Sequence, residues 1–174
     1  MQSRHFDGRV QDRRPLGQQV HGEGRDVGFA KAVRDDGDDP TADQLRTLEA
    51  ATPLVHERMT LLTEAVDMLR FLFIADEDFS IDETDRAKNL DEAGLGVVRA
   101  AHEALADVTD WSTEPIEEAL RGALIEGLGL KPRLAFGPVR VAVTGSRISP
   151  PLFESLELLG RDTTLARLSA ATAS

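Results

Sequence analysis

Residues suited to one helix face recur at three- or four-residue intervals from position 41 to about position 128, and that spacing predicts α-helices rather than strands. The second of four such windows is apolar over a broad face, as in a helix buried on more than one side. The face positions are Leu45, Leu48, Thr52 and Val55; Leu61, Leu62, Ala65, Val66, Leu69, Leu72 and Phe73; Leu95, Val98, His102 and Leu105; and Ile116, Leu120, Leu124 and Leu128. The sequence therefore predicts an all-α fold.

The helix ends carry their own signals. Thr41 and Gln44 have the spacing of a capping box at the first helix. Ser112 or Thr113 is a candidate N-cap for the fourth helix. Two short helices, Leu152–Leu159 and Thr163–Ala171, are predicted on either side of a glycine.

One segment fits two assignments. Val139, Val141 and Val143 are β-branched and alternate with other residues. That pattern is compatible with either a strand or a helix.

The first 39 residues differ from everything that follows. They hold six glycines and eight acidic residues, and their apolar residues are scattered singly. Such a composition cannot bury enough apolar surface to offset the entropy lost on ordering. We expect residues 1–39 to be poorly ordered, and we expect helical structure from Pro40 onward.

The net charge of −11 is unevenly distributed. Between Asp76 and Glu118 there are 14 acidic residues and three basic ones, whereas six basic residues face three acidic ones from Leu130 to Ser174. We interpret Asp76–Asp85 as a solvated acidic surface. Contact with phosphates is expected at the basic carboxyl end.

The residues that commonly carry chemistry form no catalytic pattern. The chain has no cysteine, which excludes disulfides and thiolate metal sites. Its four histidines share no metal-ligand spacing, and no nucleophile is paired with a base in a recognisable frame. No metal site is expected. No apolar run approaches the roughly 18 residues of a membrane span, so we expect a cytoplasmic protein without membrane contact.

Three segments near the carboxyl end closely resemble the end of bacterial glutamyl-tRNA synthetases. They are Lys131–Gly145 (KPRLAFGPVRVAVTG), Ser149–Glu154 (SPPLFE) and Leu158–Arg161 (LLGR). Each would be weak alone, but their order and spacing are specific together. The resemblance extends back to about Thr41, and residues 1–39 match no part of the family.

This resemblance implies two consecutive helical subdomains that bind the tRNA anticodon. Residues 40–75 would be the remnant of the first subdomain, and residues 76–174 would form the second, an α-helix cage. The ambiguous segment Val139–Val143 would then be helical.

The resemblance also implies a recognition surface. Arg58 matches an arginine that reads an anticodon base, although a solvated arginine at a helix end is the alternative. A second contact is expected from a loop that could equally serve only to start a helix. Its residues are Ser149, Pro150, Pro151 and Leu152.

Three basic residues at this end are candidate phosphate contacts: Lys131, Arg140 and Arg147. For Arg140, an ion pair that packs two helices is the alternative interpretation.

The function implied is binding of the anticodon of tRNA-Glu by part of a glutamate–tRNA ligase that is predicted to be monomeric. The HIGH-like and KMSKS-like motifs of the family's catalytic domain do not occur in the sequence. We therefore expect this chain alone to be inactive and to hold no cofactor, with ATP and Mg²⁺ implied only for the full-length parent enzyme. The alternatives are a trans-acting tRNA-binding module and a non-functional gene remnant.

Overall fold

The computed structural model describes residues 40–56 and 62–173. Those residues form eight α-helices and no strand, which confirms the all-α prediction. A 3₁₀ turn at Arg70–Leu72 follows the second helix, and a π-helical stretch at Arg121–Gly127 follows the fifth. The helices are α1 (Ala42–His56), α2 (Leu62–Leu69), α3 (Glu83–Asn89), α4 (Glu92–Ala106), α5 (Thr113–Leu120), α6 (Pro132–Thr144), α7 (Leu152–Leu159) and α8 (Arg161–Ala173).

The segment Val139–Val143 lies inside α6, so the helical assignment implied by the resemblance is confirmed. Four positions in and around it, Val139, Val141, Ala142 and Val143, are fully buried. Burial on several faces explains why the apolar pattern here lacks a single helical stripe. Tertiary packing thus outweighs the β-branched preference for strands.

The capping box predicted before α1 is present. The Thr41 N–H donates to the Gln44 side-chain oxygen at 2.8 Å, and the Gln44 N–H donates to the Thr41 hydroxyl at 3.3 Å. At α5 the sequence signal was incomplete, because Ser112 occupies the N-cap position without a capping hydrogen bond from its side chain. Glu157 of α7 caps this helix instead and accepts from the Thr113 N–H at 2.7 Å.

Buried apolar residues of the described chain form two clusters. The larger cluster draws on α4 to α8, where α4 packs against α6 and α8, and α5 packs against α7. The smaller cluster joins α1 to α2. Its buried members are Leu48, Ala51, Val55, Ala65, Met68 and Leu69, and Leu158 of α7 packs against them from the other side.

The interpretation of Asp76–Asp85 as a solvated acidic surface was wrong at one position, Asp85. Asp85 is 7% exposed and lies in α3, a helix that the periodicity did not predict. Asp76 pairs with Arg167 at 3.1 Å. Glu77 and Asp78 are exposed, as expected.

Within the described ranges, no helix is long and apolar enough to cross a membrane.

Candidate nucleic-acid interface

The carboxyl end of α6 and the loop after it form a tightly held turn. Gly145 ends the helix with φ at +80°, a left-handed conformation that glycine adopts without strain. A Cβ at this position would lie 2.6 Å from the backbone oxygen of Ser80. The Asp82 N–H also donates to the Gly145 carbonyl at 2.9 Å. The segment before α3 therefore packs directly on the start of the loop.

Arg140 holds the carboxyl-terminal part of this loop, at Ser149 and Pro150. Its Nη1 donates to the Ser149 hydroxyl at 2.6 Å and to the Pro150 carbonyl at 2.5 Å. The Ser149 hydroxyl also contacts the Pro150 carbonyl oxygen at 3.3 Å. Hydrogen bonds to a charged donor are stronger than neutral ones, so Arg140 holds the two residues in one arrangement. Arg140 therefore joins this loop to α6.

Asp85, which lies in α3, holds the amino-terminal part of the loop, at Ser146 and Arg147. One carboxylate oxygen, Oδ2, accepts from the Arg147 N–H at 2.8 Å and from the Ser146 hydroxyl at 3.2 Å. The other oxygen, Oδ1, lies 3.5 Å from Nε of Arg147, whose side chain is 61% exposed. A buried carboxylate is stable only when it is hydrogen-bonded, and these donors meet that need. The loop is consequently held by hydrogen bonds at both ends, from Arg140 and from Asp85.

A groove of about 880 Å³ runs between the α3–α4 junction and α6, beside this loop. Four cationic side chains and one carboxylate line it: Lys88, Arg133, Arg140, Arg147 and Asp91. Apolar surface is provided by Leu134, which is 60% exposed, and by Phe136. Cations beside exposed apolar surface suit a ligand that has both phosphates and bases.

A second cleft has the opposite character. It lies along α5 and the π-helical stretch and is lined by Glu114, Glu117, Glu118, Arg121, Gly122 and Glu126. Four carboxylates around one guanidinium repel phosphates. Among the described residues, no group of three or more acidic or histidine side chains is placed to hold a metal ion.

The predicted site residues fall into different settings. Arg58 lies outside the described residues. In the loop, Ser149 and Leu152 are 6% and 4% exposed, and Leu152 belongs to the larger core. Pro150 is buried and Pro151 is half-buried. Whether any of these four residues contacts a base stays a prediction.

The three candidate phosphate contacts also separate. Arg140 and Arg147 line the groove, whereas Lys131 is exposed at the N-cap of α6 and is not part of the groove lining. The structure adds Lys88 and Arg133, which the sequence analysis did not single out. Arg133 lies in the basic carboxyl end, so the charge count could have indicated it. Lys88 lies within an acidic region, and only the fold brings it to the groove.

Comparisons with known proteins give the family and the fold of this chain. A family model described as an anticodon binding domain matches residues 28–172. The match thus starts before Pro40, where the sequence analysis placed its boundary. A glutamate–tRNA ligase from a Nocardioides species is 60% identical over 124 residues, covering 71% of this chain and 25% of the relative. The same enzyme from Saccharopolyspora erythraea is 53% identical over 132 residues, covering 76% and 26%.

Solved structures show the same fold. The glutamate–tRNA ligase of Elizabethkingia meningosepticum superimposes with a TM-score of 0.67 at 22% identity, over 87% of this chain and 29% of that one. The enzyme from Elizabethkingia anophelis gives a TM-score of 0.65 at 21% identity, over 89% and 29%.

The chain spans about a quarter of the length of the curated relatives that it matches. Within that span, the family model covers most of the sequence and the helical fold agrees. The chain belongs to the family of anticodon-binding domains, and it is similar to the part of that family found in bacterial glutamate–tRNA ligases.

Proposed function

We propose that this chain binds the anticodon loop of tRNA-Glu, as the anticodon-binding portion of a glutamate–tRNA ligase. The observation that carries the proposal is the cationic groove between α3 and α6, which continues into a loop held at both ends. Single-stranded RNA is bound by such a combination of positive charge along the backbone and surfaces against which bases stack.

Each part of the groove has a distinct role in this proposal. Lys88, Arg133 and Arg147 contact the phosphates on either side of the anticodon. Leu134 in the groove and Ile148 in the neighbouring loop, which are 60% and 67% exposed, provide apolar surface for unstacked bases. Covering these apolar side chains with a base removes them from water.

The two buried loop residues act differently from the exposed ones. The side chains of Ser149 and Leu152 are occupied by Arg140 and by the core, respectively. We propose that they shape the loop, and that its exposed residues Arg147 and Ile148 contact the RNA. Arg58 supplies a further base contact from the α1–α2 connection, where a guanidinium can offer two parallel donors.

A titration with a fluorescent anticodon stem-loop of tRNA-Glu tests this proposal. The affinity should fall as salt rises, and the slope of log K against log salt should decrease in size by about 0.7 for each phosphate contact that is removed. Lys88→Ala and Arg133→Ala are expected to lower the slope. Arg99→Ala is the matched control, because Arg99 is exposed on α4 and does not line the groove.

An affinity that is independent of salt, or equal losses in the Arg99 control, would contradict the proposal. Complete absence of binding would favour the interpretation as a non-functional gene remnant. If the chain binds RNA and also restores charging to a separate catalytic fragment, it acts as a trans-acting module.

We also propose that this chain alone does not activate glutamate and needs neither ATP nor Mg²⁺ to bind RNA. Amino-acid activation requires a triphosphate, a metal and an oriented carboxylate at one place. The proposal rests on the sequence, which contains neither the HIGH-like nor the KMSKS-like motif of the family's catalytic domain. Pyrophosphate exchange by the purified chain, measured with glutamate and ATP, should remain at background.

The cellular setting is part of the same proposal. A chain without cysteines fits a reducing compartment, and we place it in the cytoplasm as a monomer. Light scattering after size-exclusion chromatography should give the mass of one chain, and a dimer would contradict this.

A further inference from the structure

Arg167 on α8 is 4% exposed and contacts four groups from three other segments. Its Nη1 donates to the carbonyl oxygens of Phe71 and Val143, each at 3.0 Å. Its Nε donates to Oδ1 of Asp76 at 3.1 Å. The guanidinium carbon lies 4.0 Å from the centroid of the Phe79 ring.

These partners come from functionally different parts of the chain. Phe71 belongs to the 3₁₀ turn that ends the α1–α2 hairpin. Asp76 and Phe79 lie in the segment that connects this hairpin to the cage formed by α3 to α8. Val143 lies in the last turn of α6, immediately before the loop at 145–151. One side chain therefore links the hairpin, the connecting segment and the loop.

Apolar contacts also join the hairpin to the cage. Leu158 of α7 packs against the hairpin core. Apolar contacts hold surfaces together but are non-directional, so they permit one surface to slide or rotate on the other. The donors of a guanidinium are fixed in a plane, and pairing them with carbonyl oxygens of two segments sets an angle as well as a distance.

Keeping this arginine buried is costly, which argues that the position requires it. Burial lowers the pKa of the Arg167 guanidinium from its ordinary value, while the hydrogen bond and the charge of Asp76 oppose that change. An arginine nevertheless stays protonated in proteins. A leucine or methionine would fill the same space without the desolvation cost, but it would release the two carbonyl oxygens.

We propose that Arg167 is a positioning residue that fixes the α1–α2 hairpin relative to the cage, and so sets the spacing between the hairpin and the loop after α6. The consequence for RNA rests on the function proposed above. The orientation itself does not, and it can be measured without RNA.

The measurement uses spin labels, because the chain has no cysteine of its own and two introduced ones are labelled uniquely. Glu49→Cys on α1 and Glu103→Cys on α4 place the labels at exposed positions of the hairpin and the cage. Pulsed electron–electron double resonance should give one narrow distribution of distances between the two spin labels. Adding Arg167→Met should broaden the distribution or shift its maximum.

Arg161→Met is the matched control. Arg161 also lies on α8, but its Nη2 donates to the Ala106 carbonyl at 2.6 Å, which joins two helices of the cage. This change should leave the distance distribution unaltered. A distribution in Arg167→Met that is as narrow as that of the parent pair, with helix content preserved in circular dichroism, would overturn the proposal.

Two gentler variants decide the matter if Arg167→Met loses helix content. Asp76→Asn removes the charge partner, whose side chain is 52% exposed, and Phe79→Leu removes the ring beneath the guanidinium. At least one of them should broaden the distribution. If both keep the narrow distribution of the parent pair, Arg167→Lys decides, because an ammonium keeps the charge beside Asp76 but lacks the planar donors that pair with the Phe71 and Val143 carbonyls. A narrow distribution in Arg167→Lys as well would overturn the proposal.

The RNA measurement is a separate arm. If Arg167→Met reduces the fraction of correctly oriented molecules to about one fifth, the apparent Kd for the anticodon stem-loop rises about fivefold. If the parent chain binds no RNA, the proposed function fails, and the distance measurement still decides the role of Arg167.

Discussion

The Arg140 guanidinium donates to the Ser149 hydroxyl at 2.6 Å, from one turn inside α6 to the loop that follows it. The same Nη1 reaches the Pro150 carbonyl, so the loop has its shape before any ligand arrives. A binding loop that is already ordered avoids the entropy cost of ordering upon binding. In this account Arg140 contributes to RNA binding chiefly through the conformation of the loop.

Replacing Arg140 should therefore destabilise the fold as well as weaken RNA binding. Arg140→Met removes the charged donor from the Pro150 carbonyl and from the buried Ser149 hydroxyl, which is expected to cost about 1–3 kcal/mol of unfolding free energy. Arg133→Met, at an exposed position in the first turn of the same helix, should change it by less than about 0.5 kcal/mol. Urea denaturation of both variants measures the difference, and equal costs would contradict the role assigned to Arg140.

Asp85 should be the most sensitive carboxylate of its stretch. Asp85→Ala removes the acceptor for the Arg147 N–H and the Ser146 hydroxyl, and we expect a loss of about 1–3 kcal/mol. Asp78→Ala, at an exposed position in the same acidic segment, should be nearly neutral. Chemical denaturation compares the two, and a solvated role for Asp85 would make them alike.

Comparing Gly145 with Gly129 distinguishes the cost of a left-handed backbone from the cost of a steric clash. Both have positive φ, +80° and +66°, but a Cβ at Gly129 would meet nothing within 4 Å. Gly129→Ala should cost about 1–2 kcal/mol from conformation alone. Gly145→Ala should cost more, since the Ser80 backbone oxygen must also move. Thermal unfolding measures both costs. An equal shift in Tm would mean that the Ser80 backbone moves aside at little cost in free energy.

Much of the architecture could be predicted from the sequence because local signals agree with it. The four-residue spacing of Ile116, Leu120 and Leu124 reports a buried helix face, and the Thr41–Gln44 pair reports a helix start. The segment Val139–Val143 was different. Its own pattern fitted a strand equally well, and only the family resemblance favoured a helix.

The interactions that hold the site could not be predicted in this way. Asp85 contacts Ser146 and Arg147, which lie about 60 residues away along the chain. Arg167 contacts Phe71 and Asp76, which lie more than 90 residues away along the chain. Such pairs leave no periodic signal. Likewise, Lys88 stands among acidic residues in the chain, and its place beside Arg133 arises only when α3 packs against α6.

The cap of α5 is another long-range contact with a measurable effect. Glu157→Ala removes the acceptor for the Thr113 N–H and should cost about 1 kcal/mol, as for loss of an N-cap. Glu118→Ala, exposed on α5 itself, is the control and should have little effect. If denaturation shows no difference, the backbone groups of Thr113 are satisfied by water.

RNA binding at the groove and loop is tested most directly by nuclear magnetic resonance. Backbone amide shifts of the full chain would be followed during titration with the tRNA-Glu anticodon stem-loop. Perturbations should concentrate at residues 88–94, 130–140 and 146–150, and should weaken with a stem-loop whose anticodon bases are exchanged. Perturbations centred on the acidic cleft along Glu114–Glu126, or none at all, would contradict the claim.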